Sequence, residues 1–586
     1  MEGSSYIIIS YFILFKNMRK SLLQTLRRSF PFIIYILPSL VGRGWGVGLL
    51  LTFGLVSCTD DWNTHYDAST NDSGTLWQAI KADGSMTNFA RVLQATGYDV
   101  LLDGSQTYTV FAPTDAALSA TQADSLIAEY KQQEAAGTRT NDNTVVRQFL
   151  QNHIALFRHP VSSLTNDSIK LMNSKYALLT DKALAGTALK HTNALYNNGL
   201  LFAIDSQVAY FPNVFEYLGH DSELDSVYQF LNSYSVYEFN DAKSVPGGIV
   251  DGMTIYLDSV SELHNSFLTK FGLINSEDST YWMLCPTNSE WGRLVQQYEP
   301  YFNYPKSVAK RDSMVYASTR QAIIAGAFFN RTLNPDVAFQ DSAVSTQAPS
   351  AQARQQMEED YPYYTYFKPF APGGIFYDTQ DIVCSNGHVR KSSHWSISPY
   401  DTFAQTVKVE AENILYQDTI INAVDPVIVR EVTSDNQFYG HISGNTYVEL
   451  APETATAQIT VTYKLPNILS AMPYDIYGVF VPATAYNPME TVEITKPNIM
   501  RSTVYYSDQN GREAQQRFNK SITNDPAKVD TVRLVEAFSF PTCSYGLNDA
   551  TAKIAIRSVV TARQTSTNTH TFRIDCIIVK PHELSE

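Results

Sequence analysis

The sequence predicts a multidomain protein in which two tandem α+β domains precede an antiparallel β-sandwich of jelly-roll type. Two observations carry this prediction. A segment with the composition of a strand, a proline and a capped helix occurs twice, at 107–118 and 280–291, and recurrence at domain length indicates a duplicated unit. Beyond residue 403 the chain changes to short alternating runs separated by turn residues, a pattern typical of a β-sandwich.

The first copy of the repeated segment is centred on Phe111. Residues 108–111 are β-branched and aromatic, the composition of a buried strand. Pro113 should end that strand because proline has no N–H for the sheet ladder. Thr114 is then placed to cap a helix beginning at Asp115, whose charge suits the positive end of a helix.

The second copy repeats this order around Pro286, Thr287 and Asn288, and Thr287 has the capping-box spacing to Glu290. In both copies the preceding region has apolar residues at helical intervals, and an Asn-Gly turn follows beside a strand. The turns are Asn198-Gly199 and Asn386-Gly387. The apolar positions are Leu76, Trp77, Ile80, Met86, Phe89, Val92 and Leu93 in the first copy, and Val214, Phe215, Leu218, Leu224, Val227, Phe230 and Leu231 in the second.

These residues resemble the fasciclin domain. The segment 108–118 is similar to that family's first signature, and 198–205 is similar to its second. His153 lies where the family usually carries a tyrosine–histidine pair, although Asn152 replaces the tyrosine. We interpret His153 as a packed, hydrogen-bonded core residue rather than a metal ligand.

The resemblance implies two tandem fasciclin domains, at 74–212 and 213–395. The second is degenerate, because Cys285 replaces an alanine of the first signature and the closing strand at 389–395 is polar. The resemblance also implies an adhesive role outside the cell.

The amino terminus predicts a lipoprotein signal over residues 1–57. Basic residues precede apolar runs, and the last run ends in Leu55-Val56-Ser57-Cys58, which has the form of a lipobox. Cleavage there would leave a diacylated Cys58, and Met18 is an alternative start. An uncleaved anchor with an incidental cysteine is the other interpretation.

Residues 58–73 read as an acidic tether. Asp60 and Asp61 resemble the acidic tag that follows the lipid cysteine in surface lipoproteins of the Bacteroidetes, or they simply begin a solvated linker. The first interpretation predicts a lipid-anchored protein of the outer membrane that faces outside the cell.

Charge and cysteine usage exclude some classes of protein. A net charge of −15 argues against nucleic acid as a partner, since that needs a basic surface. With Cys58 lipidated, four cysteines remain, in apolar contexts that favour buried thiols. Disulfides within the pairs 285/384 and 543/576 are the alternative. No metal-ligand spacing occurs among them, so we expect no metal at these cysteines.

The last predicted domain spans 403–586. Glu410 and Glu412 at its start and the run 573–579 at its end are similar to the first and last strands of carbohydrate-binding jelly rolls, whose early glutamates often help to bind a structural calcium. No other cofactor is expected. The eight predicted strands are 407–411, 427–432, 446–450, 457–464, 475–481, 532–538, 553–560 and 572–579.

Three insertions interrupt the α+β domains. A polar helix is expected near 122–140, and two further insertions cover 298–315 and 334–366. The last contains a tyrosine-rich run at 361–366, which could either stack on sugar or protein partners or pack on its own domain; packing is the commoner outcome.

The sequence shows no catalytic motif such as a nucleophile elbow or a phosphate loop. We therefore predict a non-catalytic surface lipoprotein that adheres to or binds an extracellular protein or glycan. The alternative is a glycan-binding or glycan-acting accessory protein with a cleft in the C-terminal sandwich.

Overall fold

The structure is a computed structural model. It describes residues 74–239, 245–250, 253–258, 261–346, 364–487 and 495–584. Cys58, Asp60 and Asp61 therefore lie outside the described residues. Residues 73–586 form one compact unit. In the part of the chain that is described, no helix is both long and apolar enough to cross a membrane.

Between residues 74 and 212 the chain forms helices and a seven-stranded sheet. The helices are α1 Leu76–Ala82, α2 Thr87–Thr96, α3 Tyr98–Asp103 and α4 Ala120–Ala135, with a π-helical turn at Val145–Leu150 and a 3-10 turn at Gln151–His153. The strands are β1 Tyr108–Pro113, β2 Ile154–Leu156, β3 Asn166–Lys170, β4 Tyr176–Thr180, β5 Ala183–Leu184, β6 Thr187–Tyr196 and β7 Gly199–Ile204. Their spatial order is β2-β1-β7-β6-β5-β4-β3.

Strands β1 and β7 are the centre of this sheet. They run parallel, and every residue in both is buried, which explains their continuous apolar composition. One face of these two strands packs on the helices. The other face packs on apolar side chains from β2, β3, β4 and β5 of the same sheet. On the second face Phe111 lies opposite Phe202, with ring centroids 5.1 Å apart.

The chain from 213 to 395 again combines helices with a sheet, and it has additional helices and two-stranded ribbons. Its helices are α5 Val214–His220, α6 Asp225–Asn232, α7 Ser266–Phe271, α8 Asn288–Tyr298, α9 Arg311–Ile324 and α10 Asp336–Asp341. A four-stranded sheet has the order β13-β12-β17-β16, from β12 Tyr281–Pro286, β13 Phe328–Asn330, β16 Gln380–Cys384 and β17 Gly387–Ser392. Three two-stranded ribbons are formed by β8 Ser235–Phe239 with β11 Ser261–Asn265, β9 Val245–Val250 with β10 Met253–Asp258, and β14 Ser342–Val344 with β15 Thr365–Phe367.

The two sheets match strand for strand at their centres. Strands β12 and β17 are parallel, as β1 and β7 are, and β13 pairs antiparallel with β12 as β2 does with β1. Helices α1, α2, α5 and α6 occupy the regions predicted from apolar spacing, and those apolar side chains are buried except for Trp77, which is half-buried.

From 407 onward the chain forms two antiparallel sheets with a shared apolar core, here called the C-terminal double sheet. The six-stranded sheet consists of β18 Val407–Glu410, β20 Ile428–Glu431, β21 Thr446–Leu450, β23 Pro473–Phe480, β26 Asp530–Ser539 and β28 Phe572–Pro581. The five-stranded sheet consists of β19 Gln417–Ile421, β22 Thr460–Leu465, β24 Ile499–Ser507, β25 Glu513–Thr523 and β27 Ala552–Ser558. All eight predicted strands are present, and β19, β24 and β25 were not predicted.

The predicted insertion at 298–315 joins the second α+β unit to the C-terminal double sheet. Tyr304 donates a hydrogen bond from its hydroxyl to the carbonyl of Tyr545 at 2.9 Å, and Asn303 donates to the carbonyl of Pro541 at 3.0 Å. Phe302, fully buried, packs edge-on against the Tyr545 ring. This insertion is therefore part of the interior of the molecule.

The tyrosine-rich run packs on its own domain where the structure describes it. Tyr364 and Tyr366 are buried, and the Tyr366 hydroxyl donates to the Gly326 carbonyl at 3.2 Å. The packing interpretation is confirmed for these two residues, and 361–363 lie outside the described residues.

Candidate functional site

The Asn198-Gly199 turn holds the first α+β unit together. The buried Asn198 side chain accepts a hydrogen bond from the Leu76 N–H at 2.8 Å, at the start of α1. Its amide donates to the carbonyls of Leu102 and Gly104 at 2.7 and 2.8 Å, at the end of α3. One side chain thus satisfies orphan groups at the ends of two helices.

Gly199 is required by close approach of the backbone. Its φ is +156°, and a Cβ at this position would lie 2.0 Å from the carbonyl oxygen of Tyr108 on β1. Any side chain here would separate the two central strands.

The same arrangement recurs at Asn386 and Gly387. The buried Asn386 accepts from the Val214 N–H at 2.9 Å and donates to the carbonyls of Ile274 and Ser276, both at 2.9 Å. A Cβ on Gly387 would lie 1.8 Å from the Tyr281 carbonyl oxygen.

The first box differs from its prediction after Pro113. Residues 115–117 form a turn, and the next helix, α4, begins at Ala120 with Ser119 as its cap. The predicted helix start at Asp115 is wrong. The Asp115 carboxylate instead accepts from the Asn88 N–H at 2.8 Å, so its charge serves the amino end of α2. The exposed Thr114 hydroxyl contacts Asp205 at 3.3 Å and caps no helix.

In the second box a helix, α8, does begin directly after Pro286 and Thr287, at Asn288. The Asn288 side chain accepts from the Ser226 N–H at 2.9 Å, as Asp115 does in the first unit. The predicted capping box is wrong, because Thr287 makes no side-chain cap bond and Glu290 pairs with Arg293 at 2.6 Å.

His153 is a fully buried side chain with a partner for each ring nitrogen. Its Nε2 accepts from the Val208 N–H at 3.0 Å, so the proton sits on Nδ1, which donates to the Phe149 carbonyl at 2.7 Å. Burial lowers the pKa of His153 from 6.5 to about 4, although the bond to Phe149 acts in the opposite direction. The neutral ring therefore ties β2 to the segment after β7.

Two carboxylates and a thiol meet where the first and last strands of the C-terminal double sheet pair. One ligand atom each from Glu410, Asp575 and Cys576 lie within 4.8 Å of one another. Ser443 donates its hydroxyl to Glu410 at 2.6 Å and its N–H to Asp575 at 3.1 Å. Glu412 accepts from a threonine hydroxyl beside them, and the second oxygens of Glu410 and Glu412 are buried without a partner among the described residues.

Charges of both signs meet at this cluster, because the Lys408 ammonium lies 3.0 Å from Oε1 of Glu410. Burial, reinforced by the charges of Glu410 and Glu412, raises the pKa of Asp575 to about 6, against the bonds from Ser443 and the charge of Lys408. Burial also raises the pKa of the Cys576 thiol, so the site offers carboxylate oxygens rather than a thiolate. Oxygen donors with orphaned buried atoms suit Ca²⁺. The carboxylate oxygens present would suit the predicted structural calcium, which would take the place of the Lys408 ammonium on Glu410.

The family comparison assigns the first α+β unit. The model of the fasciclin domain matches residues 84–208. The chain contains a fasciclin domain. The Asn198 turn, the Phe111 strand and His153 all lie within that fasciclin domain.

Several solved structures are similar to this chain. A FAS1 domain pair from the insect cell adhesion molecule fasciclin I is 12% identical, covers 54% of this chain and 98% of its own, and has a TM-score of 0.17. A CBM22-1 xylan-binding domain from Paenibacillus barcinonensis Xyn10C is 14% identical, covers 30% of this chain and 92% of its own, and has a TM-score of 0.19. A DUF4465 family protein from Bacteroides caccae is 15% identical, covers 28% of this chain and 72% of its own, and has a TM-score of 0.13. None of the curated proteins matches the chain.

The second α+β unit has an alanine at the position that corresponds to His153. Strand register aligns Ile154 with Phe328, so Ala327 lies where His153 lies in the fasciclin domain. The four described cysteines are all buried and unpaired thiols, at Cys285, Cys384, Cys543 and Cys576.

Sequence reasoning identified Glu410 and Glu412 but missed Asp575 and Ser443 as their neighbours. Asp575 lies in the mostly apolar strand 572–579, and an acidic residue in a buried strand was the available signal. Ser443 lies in a loop and is brought to the cluster by tertiary structure.

Proposed function

We propose that the protein is a non-catalytic surface protein that adheres to or binds an extracellular protein or glycan. The observation that carries this proposal is the fasciclin domain at 84–208, since the fasciclin resemblance implies an adhesive role. The lipobox at Cys58 and the acidic pair Asp60 and Asp61 support anchorage in the outer membrane with the body facing outside.

We further propose that residues 213–395 are a second, degenerate fasciclin domain. The support is internal to the chain. The Asn386 side chain repeats three hydrogen bonds of Asn198, and β12 pairs with β17 in the register of β1 with β7.

A binding assay with a hydrolysis readout tests the main proposal. Beads coated with residues 59–586 are expected to bind at least one member of a panel of immobilised extracellular proteins and polysaccharides, without releasing products. Gly199→Val provides a matched control, because its side chain would separate β1 from β7 and unfold the fasciclin domain. Product release would favour the enzymatic alternative, and equal binding by the Gly199 variant would exclude the fasciclin domain as the adhesive part.

Localisation has its own test. Cys58→Ala should abolish incorporation of radiolabelled palmitate, and persistent labelling would reject the lipobox. Replacing Asp60 and Asp61 with alanine should protect the protein from external protease on intact cells, and unchanged sensitivity would reject the surface tag.

A second candidate function is glycan binding by the C-terminal double sheet, as a jelly-roll sandwich with a structural calcium. The carboxylate cluster favours it. Glu410, Glu412 and Asp575 would hold the cation, which would supply positive charge between the first strand and the last. Glycan binding itself is examined by titrating the same soluble chain with polysaccharides, and flat titrations throughout would exclude it.

A further inference from the structure

The outer face of the five-stranded sheet carries an unbalanced group of arginines. In β24, Met500 and Val504 are buried in the core, so Arg501 and Thr503, which alternate with core residues, lie on the opposite face. Arg501 is exposed. The neighbouring strands add more basic side chains to this face.

Two arginines lie directly opposite each other. Arg501 pairs in register with Arg557 of β27, and Arg517 of β25 lies opposite Thr503 on the same face. All three are exposed. Within the described part of the chain, none of them forms an ion pair with a carboxylate. Like charges directly opposite each other on a sheet are destabilising.

A second pair of basic residues on this face is partly neutralised by nearby carboxylates. Lys464 of β22 lies opposite Lys553 of β27. Here Asp418 lies 3.0 Å and Glu513 3.8 Å from the Lys553 ammonium. No described carboxylate pairs with the two arginines in the same way, in a chain with a net charge of −15. Its charge is therefore available to an external anion.

Neutral partners hold the arginines without neutralising them. Arg557 donates from Nη2 to the Gln458 amide oxygen at 2.9 Å, and Arg501 donates from Nε to the Ser521 hydroxyl at 3.2 Å. The remaining N–H groups of both guanidinium groups have no hydrogen-bond partner among the residues that the structure describes. Such planar forks match carboxylate and sulfate groups in a bidentate manner.

The same face has surfaces suited to sugar rings. Tyr505 is half-buried, lies opposite Lys553 and Gln515 in register, and its hydroxyl makes no hydrogen bond with the described residues. A tyrosine fixed in a strand offers a flat apolar ring with a polar edge. Thr503, also half-buried, lies between Tyr505 and Arg501.

We propose that this face binds an acidic polysaccharide, with its carboxylate or sulfate groups at Arg501, Arg557 and Arg517 and a sugar ring on Tyr505. The proposal rests on the second candidate function, glycan binding by the C-terminal double sheet, and names its ligand class. A single flexible polyanion needs only this local positive face. A bilayer or a nucleic acid duplex would bring extended negative charge against an acidic protein.

Isothermal titration of residues 59–586 at low salt tests the proposal with three probes. Polygalacturonate supplies carboxylates, chondroitin sulfate supplies carboxylates with sulfates, and xylan is the neutral comparison. We expect binding to an acidic polymer that weakens as salt is added. Preference between the first two distinguishes carboxylate from sulfate recognition.

Arg501→Gln with Arg557→Gln should lower affinity for the acidic polymer at least about tenfold, the effect of losing charge-assisted hydrogen bonds. The matched control is Lys131→Gln with Lys182→Gln, two exposed lysines of the fasciclin domain, because it changes the net charge equally. The control should bind as the parent does. Arg501→Lys with Arg557→Lys should be intermediate, since it keeps charge but loses the fork.

The unfolding temperature of the glutamine variant should be no lower than that of the parent, because a like-charge pair is removed. If it falls, Arg517→Gln supplies the same binding test, since this side chain has no hydrogen bond or ion pair in the described part of the chain.

Four results would overturn the proposal. Parent-like affinity of the arginine variants for acidic polymers would exclude this face, as would equal loss in the lysine control. Binding of xylan alone would leave glycan binding in place but remove the acidic ligand. Absence of binding to any of the three would count against glycan binding as a whole.

Discussion

Asn198 and Asn386 show how much of each α+β unit depends on one amide. Each side chain is buried and bonds one N–H at a helix start and two carbonyls, which lie at the end of α3 for Asn198 and in the loop after α7 for Asn386. Since a helix end buried without partners is costly, these two residues fix how the helices meet the central strands.

Asn198→Ala should lower the free energy of unfolding by about 3 kcal/mol, because it leaves several buried backbone groups unsatisfied. Asn386→Ala should cost a similar amount. Asn166, exposed on β3, is the matched control, and its alanine variant should stay within about 0.5 kcal/mol of the parent. Denaturant titration followed by circular dichroism measures all three, and small equal shifts would contradict the role given to the turn.

His153 predicts a pH dependence of the fasciclin domain. Its pKa of about 4 in the fold lies below its ordinary value of 6.5. Between these values the unfolded chain binds a proton that the native ring does not. Stability from this residue is therefore present above pH 6.5 and falls as pH decreases to 4, by up to about 3 kcal/mol.

The comparison variant is His153→Gln, whose amide can replace both hydrogen bonds without titrating. Asp575 titrates in the same range with opposite sign, because its raised pKa favours the fold at low pH. The measured quantity is therefore the difference in unfolding free energy between parent and variant at pH 7 and pH 4. A difference independent of pH would show that His153 is not buried as a neutral ring.

At the scale of elements, the first strand and the last strand of the C-terminal double sheet meet at the carboxylate cluster. Strand β18 pairs antiparallel with β28, and Glu410 lies opposite Cys576. Calcium should raise the unfolding temperature of the chain, because a cation that binds only the folded state stabilises it. Asp575→Asn should remove that increase, whereas Asp549→Asn, an exposed acid of the same domain, should retain it.

The pH dependence of calcium binding follows from Asp575. With its pKa near 6, this carboxylate is mostly protonated at pH 5, and a protonated ligand binds a cation poorly. Calorimetric affinity should therefore fall between pH 7 and pH 5. An affinity independent of pH would place the cation elsewhere.

Sequence reasoning missed β25 and misplaced the helix after Pro113 for different physical reasons. The hairpin of β24 and β25 is long, but β25 is exposed along its length, so it lacks the alternation that identified the other strands. The helix after Pro113 was misplaced because Asp115 bonds to α2, a partner distant in sequence. Local patterns identified buried strands and helices well, whereas the carboxylate cluster and the arginine face depend on register between distant strands.

At the scale of the whole molecule, an ionic network fastens the fasciclin domain to the unit that follows. Lys175, 5% exposed, lies 3.0 Å from Glu216 and 2.7 Å from Glu277. Burial raises the pKa of Glu216, but Lys175 and Arg147 outweigh it, so this pKa lies below its usual value. The insertion at 298–315 joins the second α+β unit to the C-terminal double sheet. Together with this ionic network, it makes residues 73–586 one compact unit.

Lys175→Met should separate unfolding of the fasciclin domain from that of the remainder, because the buried Glu277 loses its cation and Glu216 keeps only Arg147, at a cost of about 3–5 kcal/mol. Lys170→Met is the matched control, since its pair with Asp278 is exposed and worth at most about 1 kcal/mol. Scanning calorimetry should show a second transition in the first variant alone. One unchanged transition in both would mean that other contacts fasten the units.

The Asn-Gly turns have a further chemical consequence. Asparagine before glycine is prone to deamidation, because the glycine nitrogen can attack the side-chain amide when the backbone is free to bend. Asn198 and Asn386 are buried and bonded on both amide atoms, whereas Asn510, before Gly511, is exposed in a hairpin turn. Asn510 should therefore deamidate in the folded protein. Isoaspartate at 198 or 386 would form only in molecules that had unfolded locally, and its new carboxylate would hinder their refolding.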